Sequence, residues 1–197
     1  MIESMLQSFE DPHSRHAVLV HFPIVLGALG LIPVLALAFR KFRSPIAASV
    51  CVAWFLGAMI GLGLASGAGE EAYERVEASQ PPLTQAEHDA LEEHESLGEG
   101  AWLWALPALV LAGATLIPQK KLQLGAGLLL VPAALTLTGF VAVTGHTGGK
   151  LVYDHGLGVP QRVAADAVRP AAGANPADAA DVRERRDHDD RESHDDD

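Results

Sequence analysis

A chain of 197 residues with 49% hydrophobic side chains and a formal net charge of -11 must keep its apolar content and its acidity in different stretches. That charge excludes a nucleic-acid surface, because phosphate recognition needs clustered Lys and Arg and here they occur only as short loop groups. The single cysteine, Cys51, excludes an internal disulfide, a CxxC redox pair, a Cys-rich zinc site and a CxxCH haem attachment, leaving His and carboxylate as candidate ligands.

The N-terminus carries Glu3, Glu10 and Asp11 where a signal peptide would be basic, so the first apolar run reads as retained. Asp11-Pro12 has the form of an N-cap followed by proline at the first helical position. The apolar run over residues 17–39 follows, about 23 residues and one bilayer thickness at 1.5 Å per residue. His21 is its only strongly polar side chain, and an ionisable group at that depth signals a site or a buried polar network. Pro23 and Pro33 each remove a helical hydrogen bond, which predicts a bend near one or both.

Arg40, Lys41 and Arg43 form a short basic loop, and Ser44-Pro45 repeats the cap-then-proline start for a second run over 46–66. Gly57-x-x-x-Gly61 places two bare backbone patches on one face of it, suited to helix packing or to a flat cofactor lying against the gap. Glu70, Glu71, Glu74 and Glu77 come next, and Thr84-x-x-Glu87 matches a capping box opening a new helix. Ala86, Ala90, His94, Leu97 and Ala101 recur at helical spacing, which turns His94 inward, while His88 falls on a solvated face.

The third run, 101–117, is about 17 residues, the lower limit for a span, and Trp102 and Trp104 suit an interfacial belt. After the basic Lys120-Lys121 loop comes the fourth run, 122–145, ending in a glycine-dense segment that contains His146. The expectation is an all-α membrane protein, a four-transmembrane-helix bundle over residues 1–159, with a disordered acidic tail over 160–197 that lacks the apolar content to fold.

The positive-inside rule assigns both basic loops to the cytoplasm, and the N-terminus, the 67–100 loop and the tail to the outside of a bacterial inner membrane. His21, His94 and His146 then fall in one leaflet on three helices, as a candidate site for haem b or a divalent metal, with His16, Glu70 and Glu99 in reserve. His13 and His155 read as structural, interfacial or loop residues.

The opening His16-Ala17-Val18-Leu19-Val20-His21-Phe22-Pro23, the His94 stretch and the close Gly145-His146-Thr147-Gly148-Gly149-Lys150-Leu151-Val152-Tyr153-Asp154-His155-Gly156 together resemble a bacterial integral-membrane family catalogued as domain of unknown function 2231. The resemblance covers residues 12–159 and implies four membrane helices with no settled activity; relatives joined to redox domains associate the family with electron transfer.

Three functions are therefore open. One is electron transfer through b-type haem on two of His21, His94 and His146, between a quinone pool and a periplasmic redox protein. Another is a non-haem metal site on the same imidazoles. The last is a membrane anchor or assembly subunit with a structural histidine network. The glycines near Gly145 follow a membrane helix and do not lead into one, so neither a P-loop nor a dinucleotide fingerprint is present.

Overall fold

The computed structural model describes residues 9–78 and 82–158. The expected acidic tail over 160–197 lies outside them. Among the described residues every regular element is helical: α1 (Pro12–Ala28), α2 (Leu31–Phe39), α3 (Pro45–Glu77), α4 (Gln85–Gly98), a 3-10 turn (Ala101–Trp104), α5 (Leu106–Ala114) and α6 (Lys120–Tyr153).

The three predicted helix starts are built as the sequence implied. Asp11 accepts from Ser14 N at 2.9 Å and Ser44 from Ala47 N at 3.3 Å, each with proline behind it. Thr84 and Glu87 form the reciprocal capping box, with Thr84 N donating to Glu87 Oε2 at 2.8 Å.

Three helices are long and apolar enough to cross a membrane: Pro12–Phe39, which joins α1 and α2, Pro45–Glu77 and Lys120–Tyr153. A fourth span exists if Gln85–Gly98 and Ala101–Ala114, bent by 50°, count as one. Only 33%, 33% and 39% of the apolar windows of the three are buried inside the bundle, so most of each faces outward through side chains such as Ile32, Leu64 and Leu129. A belt of that composition suits hydrocarbon, where the helices satisfy their own backbone groups.

The third apolar run, over 101–117, is not one continuous helix, and it loosens at the glycines that precede it. Gly100 sits at φ +65°, a left-handed conformation that ends α4, and Pro107 lies in the first turn of α5, whose 9 residues reach only about 14 Å. The chain therefore crosses this layer as a broken element.

The bend in the first span lies at Leu29 and Gly30, not at Pro23, through which α1 runs unbroken. Pro33 offers no N–H to the Leu29 carbonyl, which takes Ile32 N at 3.0 Å instead, and Gly30 N turns to Gly27 O at 3.3 Å. The Leu26 carbonyl is satisfied by Trp54 Nε1 at 2.8 Å, and Gly27 O also accepts Thr138 Oγ1 at 2.8 Å. Both donors come from neighbouring helices, which is how a broken membrane helix keeps its polar groups paired.

The main core joins Val34, Leu37, Phe55, Leu130 and Leu137 with a row of buried alanines on α3, α5 and α6. A smaller cluster, Val76, Leu91, Leu151 and Leu157, closes the opposite end. The glycine stripe of α3 is filled by protein: a Cβ on Gly61 would stand 2.8 Å from Phe22 Cδ1, and one on Gly57 3.3 Å from Leu26 Cδ1. Of the two uses expected for that stripe, helix packing is the one observed.

The two basic loops meet at one end of the bundle. Phe42, from the first loop, packs on Gly127 near the start of α6, and Gln123 Nε2 donates to Thr115 O at 3.1 Å just beyond α5. At the other end α3, α4 and α6 extend into an acidic head. There Arg15 pairs with Glu71, and Arg75 with Asp11 at 3.1 Å.

Candidate functional site

Four helices meet at two imidazoles between the apolar stem and the acidic head. His16, on α1, places Nδ1 at 2.9 Å from the Ala65 carbonyl of α3. His94, on α4, places Nδ1 at 2.9 Å from Thr147 Oγ1 of α6. Their ring centres are 6.3 Å apart with planes at 83°.

Both rings need small neighbours. A Cβ on Gly69 would stand 3.0 Å from His16 Cε1, and one on Gly148 would stand 3.0 Å from His94 Cε1. A larger residue at either place would push its imidazole off the helix it rests on. Ser66 Oγ donates to Gly98 O at 2.7 Å, binding α3 to the last turn of α4 beside the pair.

The bond to the Ala65 carbonyl fixes the His16 tautomer. A carbonyl oxygen only accepts, so His16 Nδ1 carries the proton. Thr147 Oγ1 lies 3.0 Å from Thr144 O as well as 2.9 Å from His94 Nδ1, so the hydroxyl bridges the imidazole and the α6 backbone. In the neutral His16 ring Nε2 then holds the lone pair. A histidine oriented through Nδ1–H on a protein oxygen, with Nε2 left over, is the usual arrangement of a metal-ligating imidazole.

The expected trio does not assemble. His21 is exposed and its Nδ1 turns back to the Ala17 carbonyl of its own helix. His146 is also exposed, one residue from the buried Thr147. Of His21, His94 and His146 only His94 belongs to the cluster, and its partner is the reserve residue His16. The reason is rotational: five residues carry the helix through about 500°, so His16 and His21 point roughly 140° apart and one of them alone can face α3 and α4.

Glu70 and Glu99 are exposed as well. Glu99 lines a cleft of about 480 Å³ with Gly100, Leu103, Trp104 and Pro107 on one side and Ala133 and Thr136 of α6 on the other. Trp104 stacks on Phe140 there at 4.9 Å between ring centres. Among the described residues no group of three or more His, Cys, Asp or Glu is placed to hold a metal ion.

His13 was expected to be merely interfacial. It lies one turn before His16, and its buried Nε2 has no hydrogen-bond partner among the described residues. Its Nδ1 is 3.9 Å from Asp11, whose carboxyl is held below the ordinary range chiefly by the Ser14 backbone N–H it accepts.

The chain matches no family model, no curated protein and no solved structure. The class of protein defined by the fold is an all-helical bundle with three to four candidate membrane spans.

Proposed function

We propose that this is a bacterial inner-membrane protein of the family its opening and closing motifs resemble, and that it binds b-type haem for electron transfer, with His16 and His94 as the residues that would hold it. The observation that carries the reading is the imidazole pair: two rings with centres 6.3 Å apart on different helices, each in contact through Nδ1 with a protein oxygen.

The donor count favours haem over the non-haem site. Structural and catalytic zinc takes three or four protein ligands, whereas haem iron needs only two from the protein. When bound, the group would supply one-electron chemistry. The residues of this chain orient its ligands: Ala65 O and Thr147 Oγ1 fix the rings, and Gly69 and Gly148 admit them. The cleft at Glu99 and Trp104, mainly apolar with a carboxylate at its rim, suits a quinone as electron partner, and a periplasmic redox protein would be the other. Under the positive-inside rule the basic loops are cytoplasmic and the acidic head is periplasmic.

The test is the absorption spectrum and iron content of detergent-purified protein expressed with haem supplied. A Soret band with about one haem per chain supports the reading. A second reading is favoured by the same Nδ1 bonds, which already satisfy one polar group on each ring: the pair is a structural polar network joining α1, α3, α4 and α6. Colourless, iron-free protein whose thermal midpoint falls on His94→Gln would establish that reading and remove the haem.

A further inference from the structure

The basic end carries Arg40, Lys41, Arg43, Lys120 and Lys121, and nothing on the neighbouring chain neutralises them: no Asp or Glu occurs between Asp11 and Glu70 or between Glu99 and Asp154. The carboxylates of the described residues sit in the head, at the far end of helices about 50 Å long. Five positive charges gathered at the mouth of an apolar stem call for anions from outside the chain.

A groove of about 330 Å³ opens at that place between α2 and α3. Pro33, Ala36 and Arg40 recur at i, i+3 and i+7, so they line one face of α2, and Ile46, Ala47 and Val50 line the first turns of α3. Arg40 and Ser44 stand at its mouth and the rest of the wall is apolar. Phe39 and Ile46, 85% and 78% exposed, flank the opening with the most outward-facing aliphatic and aromatic surface of this end.

The loop that shapes the mouth is fixed in place. Lys41 and Phe42 have φ of 51° and 56°, a conformation that non-glycine residues rarely adopt. Phe42 is buried against Gly127, where a Cβ would come within 2.2 Å of its ring. With Phe42 turned into the bundle, Arg40 and Arg43 are left on the exposed side of the loop.

We infer that this groove is a binding site for one anionic phospholipid, with its phosphate held by the Arg40 guanidinium beside Ser44 and an acyl chain lying along Pro33, Ala36, Ile46 and Val50. A guanidinium suits the phosphate because its N–H fork matches two oxygens at once. The occupant is a lipid and not a free anion, because the wall below Arg40 has no polar partner to offer and would gain only from apolar contact.

The experiment is native mass spectrometry of the full chain released from detergent with equal amounts of phosphatidylglycerol and phosphatidylcholine. Wild-type protein is expected to retain one phosphatidylglycerol in clear preference. Arg40→Gln should lower that retention about fivefold, as removal of one interfacial cation does. Val50→Trp, which fills the groove and keeps every charge, should lower it too, while Lys121→Gln, outside the groove, should leave it within about twofold. Equal retention of the two lipids by wild type would overturn the site, as would unchanged retention in Arg40→Gln. Displacement of the lipid by excess inorganic phosphate would also overturn it, since that identifies a simple anion site.

Discussion

Between the basic loops and the level of Ala65, the helices of this bundle touch through alanines, glycines, aliphatic side chains and phenylalanines, and two polar contacts repair broken backbone: Trp54 on Leu26 O and Thr138 on Gly27 O. Beyond Thr147 the contacts change kind. A cluster of four buried apolar residues is assisted by surface ion pairs, Arg15 with Glu71 and Arg75 with Asp11. The stem is thus specified by volume, where misplaced methyl groups are felt at once, and the head by exposed charge pairs worth about 0–1 kcal/mol each. His16 and His94 lie at the junction, held by backbone and hydroxyl oxygens from both long helices and so more rigidly than anything further out.

The contrast is broken most sharply at Gly127. Gly127→Ala would drive a methyl into the buried Phe42 ring and should destabilise by about 3 kcal/mol, visible as a large fall in thermal midpoint in detergent. Gly125→Ala, two residues away with nothing within 4 Å, should instead be neutral or stabilise by up to about 1 kcal/mol. Equal behaviour of the two would mean that the stem is not packed by volume.

At the junction, Gly148→Ala should displace the His94 ring at a cost of about 1–3 kcal/mol and lower haem content, whereas Gly145→Ala, with open space around it, should do neither. Soret absorbance per protein distinguishes the pair. Within the stem, Trp54→Phe removes the donor to Leu26 O and should cost about 1–2 kcal/mol, read from the same thermal midpoint.

The head should respond least. Arg75→Gln is expected to change stability by less than about 1 kcal/mol, and the difference from wild type should shrink in high salt. Asp11 adds a pH effect of known sign. Its carboxyl titrates lower in the folded chain than unfolded, so its contribution is present above the ordinary carboxylate range and is lost as pH falls through the depressed value. The first turn of α1 should therefore loosen in strong acid, and Asp11→Asn should abolish that dependence, as monitored by amide exchange at Ser14.

Much of this arrangement was legible in the sequence because it depends on short-range chemistry. The caps at Asp11, Ser44 and Thr84 are local hydrogen bonds between residues three apart, and the inward turn of His94 follows from the 3.6-residue period. The helical class and the apolar spans followed from composition. What escaped depends on rotation and on neighbours. Depth along the apolar runs placed His21, His94 and His146 in one leaflet, with His16 in reserve, but could not say which faces a partner, and one residue separates the exposed His146 from the buried Thr147.

The break in the third run was legible in part, since Gly98 and Gly100 mark a loosening before it, but its division into a 3-10 turn and a short helix was not. Its apolar length alone met the lower limit for a straight crossing, while Gly100 in a left-handed conformation and Pro107 in the first turn of α5 divide it. The glycines of α3 were equally ambiguous, because a bare backbone patch admits a side chain as readily as a cofactor. Phe22, 39 residues before Gly61 in the chain and on another helix, decides the matter.

The most direct test compares four single substitutions, His16→Ala, His94→Ala, His21→Ala and His146→Ala, by Soret absorbance of the purified proteins at equal concentration with haem supplied. Loss of most of the band in the first two and its retention in the last two is the expected outcome. A band that survives His16→Ala but disappears with His21→Ala or His146→Ala would contradict the assignment of the junction pair as the ligands.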